Sequence, residues 1–245
     1  AAPVANPVPI AGGAVVALPT KLSIFGTKSA RVEDFLGTVD KEATVRWSAL
    51  LPHDENHIFA IDREGKISRL QYRTSPSAHL QQVDSISIGQ PIDVTPIVDQ
   101  GRLFVADAGG KVQMLDVVAF EQQAIADLGA PAVGVMGLAG NLLLVETSQG
   151  QLQCLKTDDK LSKIWSIPLE GDHLTGTPLV DNDQVVIATK NGKVMSINAE
   201  TGETTKSLEL DQFLEHGPVN VAGEIVVTSI DGSFYRIDSI LGGNQ

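Results

Sequence analysis

The sequence predicts an all-β protein, a β-propeller of about six four-stranded blades. Three observations predict it: a repeat of about 40 residues, four short strand patterns inside each repeat, and no sustained helical stripe. The chain has 245 residues, 42% of them apolar, with 23 glycines. That is enough to bury a substantial core, and it fits one large all-β domain over 1–245.

The repeat is read from five segments: HIFAIDREGKISRL (His57 to Leu70), RLFVADAGGKVQML (Arg102 to Leu115), LLLVETSQGQLQCL (Leu142 to Leu155), QVVIATKNGKVMSI (Gln184 to Ile197) and EIVVTSIDGSFYRI (Glu224 to Ile237). Each is an apolar run, a polar turn with glycine, and a second alternating run. The turn glycines Gly65, Gly110, Gly150, Gly192 and Gly232 are spaced by 45, 40, 42 and 40 residues. Pro96, Pro178 and Pro218 each precede their glycine by 14 residues, and Pro7 stands at the same distance from Lys21. AVVALPTKLSIF (Ala14 to Phe25) is therefore a degenerate first copy without the glycine. Six units follow: 1–46, 47–92, 93–132, 133–174, 175–215 and 216–245.

One unit shows the local physics. TPLV (Thr177 to Val180) is a short strand, and Asp181 to Asp183 reverse it with residues that tolerate tight turns. QVVIAT and KVMSIN form a hairpin around KNG, whose glycine supplies positive φ. AETG (Ala199 to Gly202) makes another turn, and TTKSLEL (Thr204 to Leu210) is the fourth strand. Such a sheet is apolar on both faces and needs neighbours at about 10 Å on each side. Radial stacking supplies them, and burial at about 25 cal/mol per Å² makes that packing the main stabilising term. A linear stack of hairpins is the competing arrangement. The best helical window, Ala30 to Val45, has no i, i+3, i+4 stripe. After Gly232 only 13 residues remain, too few for a fourth strand. The ring is thus expected to be incompletely closed, either by the N-terminus or because the chain belongs to a larger protein.

Charge narrows the partners. Eighteen Lys and Arg against 30 Asp and Glu give a net charge of −12, and no basic cluster exists to neutralise phosphates, which argues against nucleic acid. No apolar run approaches the roughly 18 residues of a membrane span, so this segment is not expected to insert directly. The opening AAPVANPVPIAGGAVV lacks the basic start of a signal peptide. A single cysteine, Cys154, excludes an internal disulfide and a cysteine metal cluster.

The stretch PLVDNDQVVIATKNGKVMSINAETGE (Pro178 to Glu203) resembles the PQQ-like (quinoprotein-type) propeller repeat, which also builds the outer-membrane assembly lipoprotein BamB and many secreted bacterial proteins. The units of Gly110, Gly150 and Gly232 resemble it well, that of Gly65 less, and the first least. The resemblance implies a propeller in an extracytoplasmic setting, the periplasm or cell envelope. The family's enzymes oxidise alcohols or sugars with bound quinone and Ca²⁺, usually on eight blades, with a tryptophan in most repeats and often a vicinal cysteine pair. This chain has Trp47, Trp165 and one cysteine. Trp165 sits where the family places its packing tryptophan, but two cannot complete that girdle. The expectation is a BamB-like, non-enzymatic scaffold with a protein partner and without bound PQQ or Ca²⁺. The alternatives are a quinoprotein-type dehydrogenase or a fragment of one, and a sensor or repeat domain of a larger membrane-linked protein.

Candidate binding residues come from segments joining one blade to the next, which in a propeller lie near the axis: VRWS, PIDV, APAVG, DHLTG and LEHG. Arg46, Trp47, Asp93, His173, Glu215 and His216 are expected to line one mouth of the channel, the competing reading being solvated loops. HDENH (His53 to His57) reads as a surface turn rather than a metal site, and Asp181 to Asp183 as a turn lacking the glycine and terminal glutamate of a Ca²⁺ loop. Cys154, in the alternating QLQCL, reads as a small buried hydrophobe. No nucleophile or nucleotide-binding motif is present.

Overall fold

A computed structural model of the chain describes residues 2–26, 34–37, 45–181 and 183–237. All regular structure among them is β, in six antiparallel sheets. The chain divides into two compact units, Ala1–Gln123 and Ala124–Gln245.

In the first unit, β1 (Val8–Ile10), β2 (Gly13–Leu18) and β3 (Lys21–Gly26) form a three-stranded meander. β4 (Trp47–Pro52), β5 (His57–Asp62), β6 (Lys66–Arg73) and β7 (His79–Ser87) form the second sheet. β8 (Ile97–Asp99), β9 (Arg102–Ala106), β10 (Lys111–Asp116) and β11 (Gln122–Asp127) form the third, the division between units falling inside β11. The second unit holds β12 (Ala132–Ala139), β13 (Leu142–Thr147), β14 (Gln151–Lys156) and β15 (Ser162–Pro168). Next come β16 (Leu179–Asp181), β17 (Gln184–Ala188), β18 (Lys193–Asn198) and β19 (Thr204–Glu209). β20 (Leu214–Val221), β21 (Glu224–Ser229) and β22 (Phe234–Arg236) complete it.

The sheets are alike because each repeat carries the same turn chemistry. Gly192 closes the β17–β18 hairpin with φ at +98°, and a side chain there would meet the Leu210 carbonyl oxygen at 2.3 Å. Three residues before each turn glycine stands a buried polar residue: Asp62, Asp107, Thr147, Thr189 and Ser229. The carbonyl of each accepts the glycine N–H, at 2.9–3.2 Å. The carboxylates of Asp62 and Asp107 also accept two turn amides each. These residues satisfy donors that the tight turn would otherwise bury without partners.

Alternation along the central strands splits the core into layers. Val185 and Ile187 of β17 pack with Leu144, Leu152 and Cys154 of the preceding sheet. Val186 and Ala188 pack with Ile225 and Val227 of the following one. In the first unit, Val15, Ala17, Leu22 and Ile24 pack on Ile58, Ala60 and Leu70, and Phe59, Ile61 and Ile67 on Leu103, Val105 and Leu115. One register rule therefore serves four sheet-to-sheet layers.

The structure departs from the sequence reading in detail. Segments expected as connections are partly strand: Trp47 opens β4, Ala132 opens β12 and Leu214 opens β20. Each of these strands is bulged close to its start, a bend that redirects the chain without a long loop. In the window Ala30 to Val45, Phe35 pairs with Leu22 as an isolated bridge; residues 30–33 and 38–44 lie outside the described residues. So do Asn182 of the proposed turn and residues 238–245, where a fourth strand of the last sheet was in question.

Candidate functional site

The six candidate residues fall into different environments. Arg46, Trp47 and Asp93 belong to the first compact unit, and His173, Glu215 and His216 to the second. Arg46 and Asp93 are exposed. Trp47 is buried among Val15, Leu50 and Ile58, its ring 6.1 Å from Phe35, and it lines no open surface. An apolar ring at the first residue of a bulged strand turns into the adjoining layer. Glu215 and His216 are adjacent and exposed, on β20 rather than in a loop, with His216 opposite Thr228.

His173 is where the structure adds chemistry. Its Nδ1–H donates to Glu146 Oε1 at 2.6 Å, and Glu146 Oε2 accepts the Leu174 N–H at 3.1 Å. The Glu146 side chain is 1% exposed and that of His173 55%. A carboxylate under a sheet edge thus holds the segment entering the next sheet. Sequence reasoning missed Glu146, although a signal existed. The residue four before each turn glycine is Ile61, Ala106, Glu146, Ala188 and Thr228, and only one of these carries a charge.

An open cleft of about 720 Å³ is formed by the segment after β15, the β17–β18 turn and the segment after β19; Glu146 and His173 are not among its lining residues. Glu170, Asp172, Glu209 and Asp211 line it together with Lys193, whose Nζ is 3.0 Å from Glu170 Oε2. Asp172 Oδ2 accepts the Asn191 N–H at 3.1 Å, which fixes the hairpin turn to the inter-sheet segment. Phe213, at the cleft rim, is 60% exposed, and its carbonyl accepts the N–H of the exposed Ile230. The cleft joins an acid surplus to an apolar edge. Its chemistry favours a cationic group beside an apolar one.

The other sequence candidates are structural. The His53 ring lies tilted against that of Phe59, 5.0 Å between centroids, and burial holds its pKa below the usual 6.5. Asp54 accepts the amides of Asn56 and His57, both at 2.8 Å. Cys154 is buried in β14, and burial pushes its thiol up to about 12. Trp165 Nε1–H donates to the Ala199 carbonyl of the next sheet at 2.8 Å. Gly202 lies flat on that indole, where any Cβ would meet Trp165 Cγ at 2.7 Å. Arg69 reaches the equivalent carbonyl one sheet on from its own: Nη1 donates to Val117 O at 2.7 Å, with the guanidinium over the Phe120 ring at 5.4 Å.

Comparison with known proteins agrees with this architecture. The family model described as outer membrane protein assembly factor BamB matches residues 121–204 and 160–245. A BamB of Burkholderia pseudomallei is 29% identical over 130 residues, 52% of this chain and 33% of that protein. A BamB of Nitrosomonas eutropha is 29% identical over 108 residues, 44% of this chain and 26% of that protein. The chain thus matches a third or less of the length of these relatives. Among solved structures, BamB from Moraxella catarrhalis superposes with a TM-score of 0.68 at 14% identity, over 93% of this chain and 70% of that one. The computationally designed Ika8 protein superposes with a TM-score of 0.73 at 13% identity, over 96% and 70%. The last two show the fold alone.

Proposed function

The chain belongs to the PQQ-like repeat family of the outer membrane protein assembly factor BamB, and on that premise we propose that it is a protein-binding scaffold of the cell envelope and not an enzyme. The observation that carries this reading is the acidic cleft of the second unit, with Phe213 at its rim. Its partner is a protein segment with a basic residue next to an apolar one. The lysine or arginine meets Glu209 and Asp211, and the apolar side chain covers Phe213.

The donor chemistry supports leaving quinone and Ca²⁺ out of the reading. The sole cysteine is buried in a sheet-to-sheet layer, and Trp165 is committed to the Ala199 carbonyl. Among the described residues no three acidic, histidine or cysteine side chains converge in a metal-binding group. The placement in the envelope rests on the relatives' description as outer membrane assembly factors.

A photo-crosslinking residue at position 213, used in the envelope fraction of the source cells, tests the proposal. A defined protein is expected to crosslink, and Glu209→Lys with Asp211→Lys is expected to weaken its binding about tenfold or more. Undiminished crosslinking in the double variant would remove the cleft from the reading. Stoichiometric quinone uptake with Ca²⁺, together with dye-linked alcohol oxidation, would establish the dehydrogenase reading in its place.

A further inference from the structure

The buried carboxylate of Glu146 has room made for it in the fourth sheet. β12 is bulged between Val133 and Met136, and Gly134 lies in that bulge with φ at +65°. A side chain there would come within 3.2 Å of Glu146 Oε2. Neither Glu146 nor His173 lines the acidic cleft, yet the segments that form the cleft are hydrogen-bonded, step by step, to the residues this pair holds. Glu146 fixes the His173 ring and the Leu174 N–H. Leu174 pairs with Thr189 as an isolated bridge, and the His173 carbonyl accepts the Lys190 N–H at 2.9 Å. Asp172, one residue earlier, holds the Asn191 N–H. The β17–β18 turn is thereby fastened to the segment after β15. The Lys190 carbonyl in turn accepts the Leu214 N–H at 3.0 Å, next to Phe213, so the segment after β19 is fastened to the same turn.

We propose that Glu146 and His173 are positioning residues of the cleft: they touch no partner, and they set where the turn of Asn191 and Lys193 stands relative to Asp172 on one side and Phe213 on the other. The physical reason is the difference between a loop and a sheet. A connection held only by exposed contacts opens at little cost. One that carries the donors of a buried carboxylate does not, because opening it would strand the carboxylate without them. Glu146 thus lends the rigidity of the fourth sheet to three segments that are not strands. A partner then meets a cleft already in its bound shape and spends less free energy on ordering it. The same place in the other repeats holds Ile61, Ala106, Ala188 and Thr228, so this anchor by a carboxylate is particular to the repeat beside the cleft. The role in binding rests on the cleft being the docking surface, whereas the placement of the turn does not.

Two measurements test it, the first without a partner. Amide hydrogen exchange is followed at Lys190, Asn191 and Leu214, with Val186 and Ile187 of β17 as the internal reference. His173→Ala, at a half-exposed position, is expected to speed exchange at the first three about tenfold and to leave the reference within about threefold. Glu146→Leu should speed them further. Glu146→Gln should restore rates near wild type, because its amide can accept from the Leu174 N–H and donate to Nδ1 of a neutral ring. Uniform acceleration of all five amides would show a pair that only stabilises the fold, and would overturn the proposal. Unchanged exchange in both His173→Ala and Glu146→Leu would overturn it too. The second measurement is photo-crosslinking from position 213 in the same variants. It is expected to fall about fivefold in His173→Ala and to recover in Glu146→Gln. A loosened turn with undiminished crosslinking would overturn the role in binding. No crosslink even in the wild-type chain would overturn the cleft as docking surface and this role with it, while the exchange rates would still decide whether the pair places the turn.

Discussion

His173 Nδ1 lies 2.6 Å from Glu146 Oε1, so a half-exposed imidazole closes off a carboxylate that is otherwise buried in a sheet of apolar layers. The pair fixes the start of the fifth repeat against the fourth. Removing either partner has unequal consequences. His173→Ala strips the carboxylate of one donor and leaves the Leu174 N–H, at a cost of about 1–3 kcal/mol. Glu146→Leu removes the buried carboxylate but strands both the Leu174 N–H and the His173 Nδ1 without their acceptor, and is expected to cost at least as much. A double-mutant cycle by urea unfolding checks the coupling; additive effects would show that the pair carries no energy of its own.

Trp165 and Gly202 form one joint. Trp165→Phe keeps most of the buried area and loses the hydrogen bond to Ala199 O, and is expected to cost about 1–2 kcal/mol. Gly202→Ala forces a Cβ into the indole at a φ of +77° and should cost at least as much. In the Gly202→Ala, Trp165→Ala double variant the clash is gone, so the alanine should cost less there than in wild type.

Arg69→Lys retains the charge but cannot form the same fork onto the Val117 and Val118 carbonyls while stacking on Phe120. A loss of about 1–2 kcal/mol in denaturant midpoint experiments is expected, with the slope unchanged. A lysine variant as stable as wild type would show that the stacked fork is unimportant.

Asp116 and Asp231 set an acid limit. The amides of Ala119 and Val118 hold the Asp116 carboxyl below the usual 3.8. The Ser229 hydroxyl and Ser233 amide do the same for Asp231. A carboxyl whose folded pKa is lowered supplies stability that is complete above 3.8 and disappears as pH falls through the lowered value. Asp116→Asn with Asp231→Asn keeps turn-capping side chains but removes the titrations. The acid limb of the stability curve, between about pH 4 and pH 2, should therefore flatten, as equilibrium unfolding against pH will show.

Much of the fold was legible because its determinants are local. The turn glycines, the prolines 14 residues ahead of them and the period-2 runs lie within reach of a single hairpin, so the sheets of Gly110, Gly150 and Gly192 could be drawn from sequence. The site was less legible. Trp47 and His173 occupy similar places between repeats, yet one ends in a core layer and the other on the surface. Glu146 could have been found by aligning the repeats, whereas its partner depends on how the next strand enters.

The period, strand count and alternation of this protein follow from sequence alone, because hydrogen bonding within a hairpin and the geometry of its turn involve neighbours in the chain. Which candidate residues are buried, which carboxylates line a common cleft, and which apolar side chains are left exposed among the described residues were decided by tertiary structure. Those properties depend on strand bulges and on packing between residues a whole repeat apart, and a pattern within one repeat carries no information about them.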